Sequence, residues 1–117
     1  MSVHKQVAVR SRIWITRKGQ SYLGGGRVEL LERIGETGSI SEAARQLRIS
    51  YKKAWEMVEA MNALAPRPLV ERSTGGRGGG GTALTAQGRR AVEGFRDLDE
   101  RCKAYVDGLL NENEIEL

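Results

Sequence analysis

The chain has 117 residues, 39% hydrophobic and 29% charged, the make-up of one globular domain rather than a disordered chain. It contains no run of about 18 apolar residues, so no membrane span is expected, and MSVHKQVAVR lacks the apolar core of a secretory signal, which points to a cytoplasmic protein. The net charge of +4 hides a division: residues 1–84 carry 14 Lys/Arg against 7 Asp/Glu, and residues 85–117 carry 5 against 8, so the first part is the one drawn to polyphosphate.

Val7, Val9, Ile13 and Ile15 alternate with Arg10 and Arg12 in VAVRSRIWI, a period of two that predicts a half-buried strand. Lys18-Gly19 is a turn signal, and Gln20–Leu23 returns as the second arm of a hairpin. Gly24-Gly25-Gly26 breaks the pattern. Val28, Leu31 and Ile34 then recur at helical spacing over Arg27–Ile34, with Gly35 and Gly38 bracketing the helix end.

The most informative stretch is Gly38–Met61, GSISEAARQLRISYKKAWEMVEAM. It predicts two short helices around a tight turn. Ser39 or Ser41 caps the first, Ser39 with Glu42 having capping-box spacing. Ala43, Ala44 and Leu47 form its inner face, small enough to let a crossing helix approach. Arg48-Ile49 makes the turn, with Ile49 as a buried plug. Ser50 caps the second helix, in which Ala54, Val58 and Met61 face the core and Tyr51, Lys52, Lys53, Trp55, Glu56 and Glu59 lie outward. Pro66 and Pro68 end it.

Leu69–Arg72 and Thr82–Leu84 are short strand candidates around Ser73–Gly81, together a β-hairpin that would serve as a wing. Thr85 caps a last helix of about 25 residues, about 37 Å long. In it Ala91, Phe95, Leu98, Cys102, Tyr105 and Leu109 step by 4, 3, 4, 3, 4, a coiled-coil-like seam. Such a helix is either a dimerisation arm or packs back on its own domain; the dimer arm is the reading adopted. Asn111–Leu117 is a polar tail. The fold class is therefore mainly α with small β: a winged helix-turn-helix with an N-terminal β-hairpin (residues 1–84) and a long C-terminal dimerisation helix with its tail (residues 85–117).

The helix-turn-helix presents the start of its second helix to base edges in a major groove. Lys52, Lys53, Arg77, Arg45 and Arg72 are expected on phosphates, and Ser50, Tyr51, Lys53 and Glu56 on base edges. Trp55 either joins the groove face or wedges against the first helix or the wing. Gly76-x-Gly78-x-x-Gly81 formally matches a dinucleotide fingerprint, but no later strand follows to complete that unit. The run is read either as a slack connector or as a wing tip whose bare backbone lies on a phosphate with Arg77 beside it; the wing tip is preferred. One cysteine excludes an internal disulfide, and with His4 as the lone histidine no protein-only zinc site or nucleophile–histidine pair can be assembled. No metal, catalytic residue or enzyme activity is expected.

GSISEAARQLRISYKKAWEMVEAMN and LVERSTGGRGGGGTALTAQG closely resemble the N-terminal DNA-binding half of ModE-type molybdate-responsive transcription regulators, and more loosely the LysR-type helix-turn-helix. The resemblance runs from Arg27 to the end of the last helix. It implies Ser41–Leu47 and Ser50–Asn62 as the two helices of the motif, Val70–Leu84 as the wing and the helix after Thr85 as the dimer element. It further implies a homodimer on a palindromic operator in double-stranded DNA, commonly near genes for molybdate uptake or molybdenum enzymes. The family's C-terminal oxyanion-binding module has no counterpart in these residues, so no cofactor is expected; three alternatives stay open: a constitutive binder, a response through a separate sensor protein, and sensing by an unrecognised route. Two rival readings follow from the same residues: a non-specific architectural DNA-binding protein, and a protein-interaction module without DNA binding.

Overall fold

The computed structural model describes residues 7–73 and 81–111. A hairpin of β1 (Trp14–Arg17) and β2 (Gln20–Gly24) leads into α1 (Gly25–Thr37), α2 (Ile40–Leu47) and α3 (Tyr51–Leu64). A second hairpin, β3 (Val70–Ser73) and β4 (Gly81–Leu84), precedes α4 (Ala86–Asn111). Each hairpin is its own two-stranded antiparallel sheet. The order helix, helix, helix, hairpin is a winged helix-turn-helix, as the sequence predicts.

The first hairpin is shorter than the alternation in VAVRSRIWI predicts. Pairing begins only at Trp14, opposite Gly24, and Val7 and Val9 are 51% and 38% exposed. Alternation supplies one face of a strand, but pairing needs a partner of equal length. Here the partner ends where α1 starts at Gly25. The turn is as expected, with Lys18 and Gly19 at φ 53° and 75°, the pair of positive values that a two-residue hairpin requires.

Helix α1 runs from Gly25 to Thr37, so Gly25 and Gly26 lie inside it and Gly35 does not end it. Gly38 ends it, at φ 71° and with its N–H on Ile34 O at 2.8 Å. Ser39, not Ser41, caps α2, its Oγ accepting from Glu42 N–H at 3.0 Å. Arg48 closes α2 at φ 59°, and the expected plug Ile49 is only half-buried. Ser50 caps α3, accepting from Lys53 N–H at 3.0 Å. Helix α3 stops at Leu64, ahead of Pro66 and Pro68.

Val28, Leu30, Leu31, Ile34, Val58, Met61, Leu69 and Phe95 fill the centre, and no polar or charged residue is buried among the described residues. Ala43, Ala44 and Ala54 are the small contacts that let α2 and α3 meet closely. Asn62 fastens α3 to the wing: its Nδ2 donates to Val70 O at 3.0 Å, and its Oδ1 accepts from Leu69 N–H at 2.8 Å.

Thr85 links the wing to α4. Its Oγ1 donates to Pro68 O at 2.6 Å and accepts from Gly88 N–H at 2.9 Å. A Cβ on Gly88 would collide with Leu69 O, so only glycine lets α4 cross so near β3. The first half of α4 lies on the domain, where Arg96 forms a two-bonded pair with Glu32 of α1 (3.0 and 2.6 Å). The molecule spans 57 × 31 × 23 Å, drawn out by the 26-residue α4. No helix among the described residues is long and apolar enough to cross a membrane.

Candidate nucleic-acid interface

Capping by Ser50 fixes where α3 begins, and with it the three side chains of the first turn. Tyr51, Lys52 and Lys53 are all exposed, while Ala54 directly behind them is fully buried. Glu56 and Glu59 follow on the outer face one and two turns later. The Ser50 oxygen is engaged in the cap, which leaves its O–H free for a base edge.

Tyr51 is 54% exposed and meets Trp55 edge-to-face, with ring centroids 6.3 Å apart. Trp55 is half-buried against the core, which favours the wedge over groove contact for its indole. Tyr51 remains the aromatic presented outward.

Arg45 extends from α2 and is held by Glu42 through two hydrogen bonds, which raise its pKa further. It stays cationic at any working pH. An exposed ion pair of this kind is weak enough to be exchanged for a phosphate. Arg72 stands exposed on β3, opposite Thr82 of β4. Arg77 and the glycines from Gly75 to Gly80 lie outside the described residues.

A cleft of about 210 Å³ joins α2, α3 and the wing, lined among others by Ser41, Tyr51, Trp55, Arg72 and Thr82. It brings two predicted contact residues, Tyr51 and Arg72, to one place. It also brings in Ser41, expected only as an alternative helix cap, and Thr82, expected only as a residue of the second wing strand. The wing is pinned in this position by Thr82 N–H on Gly38 O at 3.0 Å, and a Cβ on Gly81 would stand 2.5 Å from the same oxygen.

The predicted seam of α4 divides in two. Phe95 is 2% exposed and Ala91 packs on the chain's own core, so Phe95 is a core residue of this domain and not an open dimer contact. The helix must cover the core before it leaves the domain. Beyond it, Leu98 and Tyr105 are 44% and 70% exposed, and Cys102 and Leu109 are half-buried. No group of three or more His, Cys, Asp or Glu among the described residues is placed to hold a metal.

A helix pair with an exposed second-helix start, flanked by a wing, is the architecture of a DNA-binding regulator. The chain belongs to the lysR family of bacterial regulatory helix-turn-helix proteins, whose profile matches residues 26–89. Among curated relatives it is 46% identical over 91 residues to the transcriptional regulator ModE of Haemophilus influenzae, covering 78% of this chain and 35% of that protein. It is 48% identical over 87 residues to the molybdenum transport protein ModE of Azotobacter vinelandii (74% and 32% covered). The DNA-binding transcriptional dual regulator ModE of Escherichia coli K12 is 38% identical over 111 residues (93% and 42% covered). The ModE-type resemblance read from the sequence therefore stands, and these relatives are named as regulatory or transport proteins rather than enzymes. The chain spans about a third to two-fifths of the length of these relatives.

Proposed function

We propose that the chain is a sequence-specific transcription regulator that binds a palindromic operator as a homodimer and serves molybdate uptake or molybdenum metabolism. The observation that carries the DNA-binding part is the exposed first turn of α3, with Tyr51, Lys52 and Lys53 held beside a wing that bears Arg72. Each α3 enters a major groove, with half-sites one helical turn apart, about 34 Å. Lys52, Lys53, Arg45, Arg72 and Arg77 contact phosphates, and Ser50, Tyr51, Lys53 and Glu56 contact base edges. The exposed apolar residues of α4 beyond Phe95 supply the dimer contact. The link to molybdenum rests on the names of the relatives. No cofactor is assigned to these residues; a separate sensor protein fits this reading.

The test is selection of bound duplexes from a random pool by the purified protein, with and without molybdate. An enriched palindrome supports the dimeric regulator, and dependence on molybdate supports the metabolic link. Equal binding of unrelated sequences at moderate salt overturns it in favour of an architectural role. No DNA binding by the folded protein leaves the protein-interaction reading.

A further inference from the structure

We propose that the acidic segment of residues 112–117 turns back from the end of α4 and docks along residues 9–13, with Glu114 beside Arg10 and Glu116 beside Arg12. The segment thereby covers a basic strip of the chain's own surface. The proposal is independent of the DNA-binding reading.

The receiving surface is a groove of about 500 Å³ between the chain ahead of β1 and the far half of α4. Val9, Arg10, Ser11 and Arg12 form one wall, and Lys103, Val106 and Asp107 form the other. Farther along, Ile13 lies by Phe95 and Asp99, so residues 9–13 run antiparallel to α4. Ser11 and Ile13 are half-buried while Arg10 and Arg12 are exposed, a period of two that marks extended backbone. Residues 7–12 make no backbone hydrogen bond among the described residues, and the ladder with β2 begins only at Trp14. An open edge of this kind is a template for a further strand.

Charge selects the occupant. Arg10 and Arg12 form no ion pair among the described residues. Asp107 is the only carboxylate lining the groove, and Asp99 beyond it is held by Lys103 at 3.0 Å. Two guanidinium groups on alternate positions of an open edge fit an extended segment with carboxylates at the same spacing. Residues 112–117, which lie outside the described residues, have that pattern: Glu112, Glu114 and Glu116 alternate with Asn113, Ile115 and Leu117. With the acids on the arginine side, Ile115 and Leu117 share the side of Ser11 and Ile13, which faces α4. The reach is sufficient. Helix α4 ends at Asn111, about one turn past Asp107 and so at the Val9 end of the groove. Residues 9–13 span about 13 Å when extended, whereas six residues reach about 20 Å, leaving about two for the turn.

The test traps the contact in the whole chain carrying Cys102→Ser, with Ser11→Cys and Ile115→Cys added. These positions leave every arginine and glutamate of the contact in place. Mild oxidation is expected to give a disulfide within one chain, read by mass and by migration on a non-reducing gel. Lys18→Cys with Ile115→Cys, on the exposed hairpin turn outside the groove, should close at least about tenfold more slowly. Arg10→Gln/Arg12→Gln should slow the first closure about tenfold, and the exchange Arg10→Glu/Arg12→Glu/Glu114→Arg/Glu116→Arg should restore it. Equal rates for the two cysteine pairs, or closure indifferent to Arg10 and Arg12, overturns the docking. A disulfide between two chains overturns the return within one chain and places the segment on a second copy. Heparin supplies the second readout. Glu112→Gln/Glu114→Gln/Glu116→Gln should raise the salt needed for elution from heparin by more in the parent than in Arg10→Gln/Arg12→Gln, because only the parent has a strip to uncover. An equal rise in both overturns the covering role.

Discussion

Lys52 and Asn62 sit on the same helix and serve opposite ends of the argument. Lys52 is exposed in the first turn of α3, where a flexible ammonium is a point charge for phosphate rather than a reader of bases. Lys52→Ala should weaken binding to all duplexes alike and lower the salt slope by about one, read by titration at several KCl concentrations; a change confined to one sequence would make Lys52 a base contact. Asn62 makes no such contact and holds the wing instead, through Val70 O and the Leu69 N–H. Removing its amide strands half-buried backbone groups, so Asn62→Ala should cost about 1–3 kcal/mol in denaturant unfolding. Glu32 gives a residue-scale pH effect. The hydrogen bond from Arg96 holds its carboxyl below the ordinary value against some opposing burial, with the Arg96 and Arg33 charges adding. The folded chain thus binds this proton more weakly than the unfolded chain. The stabilisation is fully present above the unfolded carboxyl pKa, about 4.3, and is lost as pH falls through the lower folded value. Both side chains are about a third or more exposed, so the contribution is under about 1 kcal/mol. Glu32→Gln should lower stability at pH 7 by that amount, with the gap to the parent closing in unfolding curves below pH 4.

At the scale of elements, the wing is held by close approach. Thr82 N–H bonds Gly38 O, and Gly81 leaves no room for a Cβ beside that oxygen. Gly81→Ala should push β4 away from the α1–α2 turn, at about 1–3 kcal/mol, and weaken DNA binding, while the unfolding transition stays cooperative. Unchanged stability and affinity would mean that the wing is not fastened there. The helices and both hairpins were legible from local signals: the αL glycine at Gly38, the caps Ser39, Ser50 and Thr85, the prolines after Leu64, and the Lys18-Gly19 turn. Where the reading missed, the deciding contact was remote in sequence. Gly35 looked like a helix end because glycine usually breaks helices; in place it lies against the Leu84 side chain, 3.0 Å from where its Cβ would be. VAVRSRIWI carries strand periodicity, but its length is set by the partner strand. The exposed start of α3 followed from its cap and apolar spacing. The cleft did not, because Ser41 and Thr82 are 41 positions apart in the chain and meet only once the wing has folded over.

For the whole molecule, the long last helix answers two needs in succession. Phe95 is buried in the domain's own core and Arg96 is tied to Glu32, so the first half of α4 closes the fold. The second half carries Leu98 and Tyr105 in the open, apolar surface that one chain does not cover. The periodicity 91, 95, 98, 102, 105, 109 is continuous across both halves, which is why the sequence alone could not divide them. Spacing records a hydrophobic face and not what covers it. The division separates two kinds of variant. Phe95→Asp places a charge in the core and should abolish folding, seen as loss of the cooperative thermal transition. Leu98→Asp with Tyr105→Asp leaves that core untouched and should give a folded monomer in sedimentation. On the proposed homodimer with its palindromic operator, the affinity of this variant should fall by far more than that of a dimer with one weakened half, because the second half-site is no longer delivered at the effective concentration set by the dimer. A double variant that still sediments as a dimer would move the interface off this face of α4. The half-site spacing would then have to follow from a different pairing of the two wings.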